Sequence, residues 1–218
     1  IRRELRVLTR PPVLVALATT VLGASAMFVL YTYVAPVLAT LAGASDGFVT
    51  LALVLIGLGF TFGNWLGGRM ADWSLEGATA IFLAALSLIM LVAPFTLGTL
   101  PGAAITLFLW GAAAFAIVPP VQMRVMQAAA DAPGLASSVN IGAFNLGNAI
   151  GAALGGAVIA LDLGYSAVPV AGGLTAAVTT LRDGVGNEVQ TFPNTAFTPS
   201  YNGVNGTAVP ANATAAQV

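Results

Sequence analysis

Three asparagines, Asn140, Asn145 and Asn148, punctuate the apolar stretch "SSVNIGAFNLGNAIGAALGG". An amide carries two N–H donors and an acceptor oxygen, and leaving either unpaired in apolar surroundings is costly. These residues therefore either bond from helix to helix or offer hydrogen bonds to a small molecule in a cavity. Tyr31 and Tyr33, in "MFVLYTYVAP", are the other uncharged groups able to touch such a molecule. At the end of an apolar run, tyrosines also serve as interfacial anchors. A third set is charged: "FGNWLGGRMADWSLEGA", residues 62–78, holds Arg69, Asp72 and Glu76 in a chain that is only 7% charged. Gly68, Arg69 and Asp72 there could form a gate, or Arg69 could simply mark the side of a membrane on which this connection lies.

Covalent chemistry is not on offer. With no cysteine and no histidine, disulfides, thiol nucleophiles, Cys/His metal sites and an imidazole base are all excluded. A Ser/His/Asp or Cys/His hydrolase cannot be assembled from these residues, and neither enzymatic activity, a metal nor a cofactor is expected. A net charge of −1 gives no general attraction to nucleic acid. No Asp or Glu falls deep within an apolar segment, where a proton relay would normally place one.

The elements that position these residues must lie in lipid. The 218 residues are 58% hydrophobic with a mean hydropathy of +0.92, whereas a soluble domain is about 25% charged. Crossing a hydrocarbon core of roughly 30 Å takes about 20 apolar residues, and in lipid the backbone satisfies itself as helix. Six segments qualify or nearly do: 13–38, 48–68, 78–98, 102–123, 135–161 and 165–181. The expected fold is an all-α membrane protein, with six transmembrane helices within residues 1–182. The last segment is short and contains Pro169, and a polar tail over 183–218 is expected to be disordered.

All basic residues are arginines, and they fall on one side of a six-span arrangement. Arg2, Arg3, Arg6 and Arg10 precede the first segment, Arg69 separates the second and third, Arg124 follows the fourth and Arg182 the sixth. The opposite connections hold Asp46, an uncharged "GTLPG" turn and Asp162. Positive residues are retained in the cytoplasm, so both chain ends are predicted there. Asn205 and Asn212 match the N-x-Ser/Thr pattern, but a cytoplasmic tail would receive no sugar.

Two segments carry glycines at intervals of four: Gly59, Gly63 and Gly67 in the second, Gly147, Gly151 and Gly155 in the fifth. Each trio forms one stripe along its helix, where small residues let backbones approach closely in lipid. Asn140 lies close in angle to the second stripe, while Asn148 and then Asn145 turn away from it. Trp110 is placed mid-span as a packing residue. "VPPVQMR" interrupts the fourth helix at Pro119 and Pro120, just before Gln122 and Arg124.

These stretches, with "RRELRVLTRPPV", "LYTYVAPVL" and above all "PPVQMRVMQAAADAPGLASSVNIGAFNLGNAIGAALGG", resemble the C-terminal six-helix half of a major facilitator superfamily transporter. The likeness is nearest to the bacterial drug:proton antiporters related to arabinose efflux permeases. It implies one half of that fold, in the bilayer of the bacterial inner membrane, rocking against an N-terminal six-helix half of the same transporter. It further implies export of a small molecule or drug by alternating access, coupled to protons through an acid in the other half. In that family the loop after the second helix follows a G-x-L-A-D-R-x-G-R pattern. Here Gly68, Ala71 and Asp72 match, while Trp73, Leu75 and Glu76 depart from it. The resemblance implies that Asp72 caps or pairs with a neighbouring helix end in one transport state. The likeness covers about residues 1–168, and residues 169–218 are read as departing from the family. The start at Ile1 is read as a cut from a longer protein. A non-transporting six-span scaffold, with the glycine stripes making only an oligomer, is the alternative. A pore-forming homodimer would want rings of polar side chains, and only scattered amides are found.

Overall fold

The computed structural model describes residues 6–189, with side chains described through Asp183; Arg2, Arg3 and residues 190–218 of the expected tail lie outside that range. The described residues fold into eight helices: α1 Pro11–Tyr31, α2 Val34–Ala42, α3 Asp46–Trp73, α4 Leu75–Thr96, α5 Leu100–Ala116, α6 Val118–Ala128, α7 Pro133–Ala160 and α8 Ala167–Val189. Polar side chains start three of them. Ser45 accepts from the Phe48 N–H, Ser74 from Gly77 and Thr99 from Gly102, satisfying donors that a helix start leaves open. Gly43 closes α2 in the left-handed conformation, φ 59°, where an L side chain would be strained.

Two predicted spans are each divided into two successive helices. The first is interrupted at Thr32–Tyr33, between α1 and α2. Pro36 has no N–H to give the Thr32 carbonyl, and its ring crowds that oxygen. The fourth breaks at Ile117, between α5 and α6. Pro119 and Pro120 sit in the first turn of α6, where a missing N–H is tolerated. The charged stretch 62–78 is not a loop: α3 continues to Trp73 and α4 begins at Leu75, with Ser74 alone between them.

Five helical stretches are long and apolar enough to cross a membrane: α1, α3, α4, the α5–α6 pair and α7. The sixth segment differs from the sequence expectation. Its helix, α8, has 23 residues, about 35 Å at 1.5 Å per residue. Its final turns take in Arg182, Asp183 and Glu188. Residues 183–189, expected at the start of the tail, are therefore helical.

The helices pair most extensively as α3 on α5, α1 on α7 and α4 on α8, with α8 also against α1. The chain thus reads as two similar triples. Each has a broken first helix and a glycine-striped second, the third helices α4 and α8 pack on each other, and each striped helix packs on the broken helix of the other triple. Leu30, Ile56, Leu83, Leu86, Met90 and Trp110 are buried where these elements meet. By contrast, α3 and α7 are only 22% and 17% buried over their most apolar windows, leaving Leu58, Trp65, Ile141 and Leu154 exposed.

Candidate functional site

The glycine stripes set how closely the site's walls approach. A Cβ on Gly59 would stand 2.5 Å from the Phe108 carbonyl oxygen. On Gly63 and Gly67 it would run into the Ala112 and Ala116 carbonyls. On α7 the same spacing recurs against α1: Gly147, Gly151 and Gly155 lie on the carbonyls of Val21, Ser25 and Val29. Both contacts advance four residues at a time on both helices, so backbone rides on backbone. Carbonyl oxygens so placed favour Cα–H···O contacts, a small supplement to van der Waals attraction.

Held this close, α1, α3, α5 and α7 surround a half-open hollow of about 150 Å³, lined by Met27, Phe28, Tyr31, Phe60, Phe115 and Phe144. Phe60 stacks on Phe115 at 3.9 Å between ring centroids, and Phe28 meets Phe144 edge to face at 6.1 Å. Tyr31, 37% exposed, lies nearly parallel to the buried Trp110 at 6.2 Å. The lining has no charged residue, and the Tyr31 hydroxyl is its single polar group. Ring faces present negative quadrupole and edges positive, so the hollow favours a flat, apolar molecule with little hydrogen-bonding demand.

The residues singled out in the sequence divide around this hollow. Tyr31 lines it. Tyr33 instead packs the α1–α2 joint onto α7: its hydroxyl donates to the Ala152 carbonyl at 2.9 Å, and its ring covers Gly155 and Gly156. Asn148 lies one helical turn beyond Phe144, and its side-chain oxygen is buried without a partner. Asn145 is exposed. Asn140 is buried in a directed chain of bonds. Thr20 donates to its oxygen at 2.6 Å, its own N–H donates to Gln122 at 2.5 Å, and Gln122 donates to Ser137 at 2.8 Å. This chain ties α1, α6 and α7 at one end of the bundle. Beside it is a small cavity of about 30 Å³ whose walls include Thr19, Thr20, Val121, Asn140 and also Met27 and Phe144 of the hollow.

Of the charged set, Gly68 has open space around it. Arg69 is exposed, its guanidinium 5.7 Å from the centre of the Trp65 ring. Asp72 is exposed and bonds to no other described residue's side chain.

Sequence reasoning missed one pair. Arg124 on α6 donates to Asp183 on α8 at 2.6 Å, and the Thr19 hydroxyl lies 3.1 Å from the other carboxylate oxygen. Asp183 is 1% exposed and Arg124 12%, so the bundle does contain a buried acid. A signal for it was present. Val168, Gly172, Ala176, Thr179 and Asp183 are all buried, at the three- and four-residue spacing of one helix face, so Asp183 continues a core stripe.

No family model matches the sequence. Individual proteins do. The inner membrane transport protein YdhP of Escherichia coli is 60% identical over 181 residues, 83% of this chain and 46% of that protein. The uncharacterized MFS-type transporter YfhI of Bacillus subtilis is 35% identical over 166 residues, 76% of this chain and 42% of its own length. A chloramphenicol resistance protein of Streptomyces lividans is 35% identical over 167 residues, 76% of this chain and 41% of its own. The chain thus spans about half the length of the curated relatives it matches. A match over 181 of 218 residues reaches into α8 from wherever it starts, so the first part of this helix, expected to depart from the family, lies within the likeness.

Proposed function

The chain belongs to the major facilitator superfamily of membrane transporters, and on that footing we propose that it forms the C-terminal six-helix half of a secondary efflux transporter. The observation that carries this reading is the aromatic hollow between α1, α3, α5 and α7. Two of the helices around it, α1 and α5, are the broken ones, and discontinuous helices at a repeat interface are where secondary transporters build their binding sites. The lightly buried α3 and α7 offer surface to an N-terminal half and to lipid. In the intact protein the two halves rock about the hollow, opening it to either side of the bacterial inner membrane in turn.

The substrate class follows from the lining: a small, flat, lipophilic molecule making one polar contact, at Tyr31. Drug resistance in the name of the Streptomyces relative points to export of such molecules, driven by proton entry. With α8 as the sixth crossing, Arg6, Arg10, Arg69, Arg124 and Arg182 lie on the cytoplasmic side and both ends face the cytoplasm.

The functional test uses the full-length transporter. Tyr31→Ala removes a half-exposed ring and is expected to cut export of planar dyes by about tenfold, the worth of one lost aromatic contact of about 1.4 kcal/mol. Equal export of every dye and drug by the variant and its parent would remove the hollow from the transport path. For topology, cysteines replacing Asp46 and Met126 are expected to react with impermeant reagents from opposite faces; reaction of both from outside intact cells would refute six crossings.

A further inference from the structure

We propose that Asp183 is a proton-binding acid of the transport cycle: a proton entering through the hollow replaces its Arg124 partner and so lets the cytoplasmic end open. This rests on the transporter reading above. Among the residues whose side chains are described, Asp183 is the only buried acid: Asp46, Asp72, Asp131 and Asp162 are exposed and Glu76 is half-buried.

Three features equip the site for exchange. First, each carboxylate oxygen has one side-chain partner, Arg124 on Oδ2 and Thr19 on Oδ1. The Thr19 hydroxyl has a second acceptor, the Val15 carbonyl, also at 3.1 Å. With Asp183 ionised, Thr19 donates to it. With Asp183 protonated, Thr19 can turn its hydrogen to Val15 and accept from the acid's O–H. One hydroxyl serves both protonation states.

Second, Arg124 rides on a helix with a weakened joint. Neither Pro119 nor Pro120 has an N–H, so neither can close the helical bond to the Phe115 and Ala116 carbonyls across the break at Ile117. A swing of α6 about that joint would carry the partly exposed guanidinium into the cytoplasm. A buried carboxylate left behind without its partner is strongly unfavourable, and taking up one proton removes its charge. The step balances: –COO⁻ plus H⁺ gives –COOH, while Arg124 stays a guanidinium and is hydrated by water.

Third, Thr19 connects this acid to the hollow. It lines the cavity of about 30 Å³ that shares Met27 and Phe144 with the aromatic hollow, a volume sufficient for a water. Other titratable groups on the packed elements are few. On α4 there is only Glu76, in the first turn; α7 has none, α1 has only Tyr31 at its far end, and α8 itself carries Arg182 beside Asp183 and Glu188 near its end.

Asp183→Asn in the full-length transporter, reconstituted into liposomes, tests this. The amide oxygen can still accept from Arg124, so the fold is retained. Substrate-for-substrate exchange is expected to stay within about twofold of the parent, while accumulation driven by a proton gradient falls by about tenfold or more. Undiminished accumulation would overturn the proposal, as would exchange and accumulation falling together, which marks a purely structural tie. An infrared pH titration reads the acid without transport. The parent-minus-variant difference spectrum should show a carboxylic acid band that grows on acidification, the one Asp183 contributes; identical spectra for the two would also overturn it. A parent that accumulates no substrate would count against the transporter reading instead, leaving the infrared result to decide the fate of Asp183.

Discussion

Arg124→Ala is expected to lower stability by about 3–5 kcal/mol, because it leaves the buried Asp183 carboxylate with Thr19 as its only side-chain partner. The penalty comes from the stranded charge, and the same physics predicts a second result. Replacing both partners, Arg124→Met with Asp183→Leu, removes the charge and its partner together and is expected to restore stability to within about 1 kcal/mol of the parent. Thermal unfolding in detergent, followed by tryptophan fluorescence, measures both. A single variant no less stable than the double one would mean that water already screens the pair. The exposed pair Arg10–Asp131, 2.7 Å apart but 49% and 65% exposed, provides the contrast: breaking it should cost at most about 1 kcal/mol.

Gly63→Ala is the second large effect. Its new methyl group would meet the carbonyl of Ala112, which is backbone and cannot rotate aside. The α3–α5 pair must separate or tilt, and overpacking of this kind costs about 1–3 kcal/mol. Gly151→Ala should do the same to α1 and α7 through the Ser25 carbonyl. Gly57→Ala and Gly142→Ala lie on the same two striped helices but point into open space. They should be neutral or stabilising by about 0.4–1 kcal/mol, since alanine restricts the unfolded chain. If all four variants melted together, close backbone approach would not be what sets these interfaces.

The glycine periods could be read from the sequence because they are local: residues four apart share a helix face whatever that face touches. What they touch could not be read. That α3 packs on α5 rather than on α4, its neighbour in the chain, depends on how two similar triples interlock. Among the three asparagines, sequence placed Asn140 beside the stripe and turned Asn148 away from it. Only the packed structure buries Asn140 among Thr20 and Gln122 while leaving the Asn148 oxygen without a partner. The break at Ile117 was legible from the two prolines. The break at Thr32 was less so, since its cause, Pro36, stands four residues further on.

By itself the sequence determined the solvent and the secondary structure. Apolar runs with 7% charge must meet lipid, and in lipid a backbone has to satisfy its own hydrogen bonds, so helices follow from composition. It did not determine the fate of its charges. Asp183, read from its polar surroundings as the start of a tail, is instead one of the most buried residues. The cost of burying a carboxylate depends on what stands within a few ångströms of it. Its partners come from α6, 59 residues earlier in the chain, and from α1, 164 residues earlier. The aromatic hollow likewise draws on four helices and appears only once the glycines let those helices meet. Residues so far apart in the chain become neighbours only through the packing of helices, and that packing is a property of the tertiary structure.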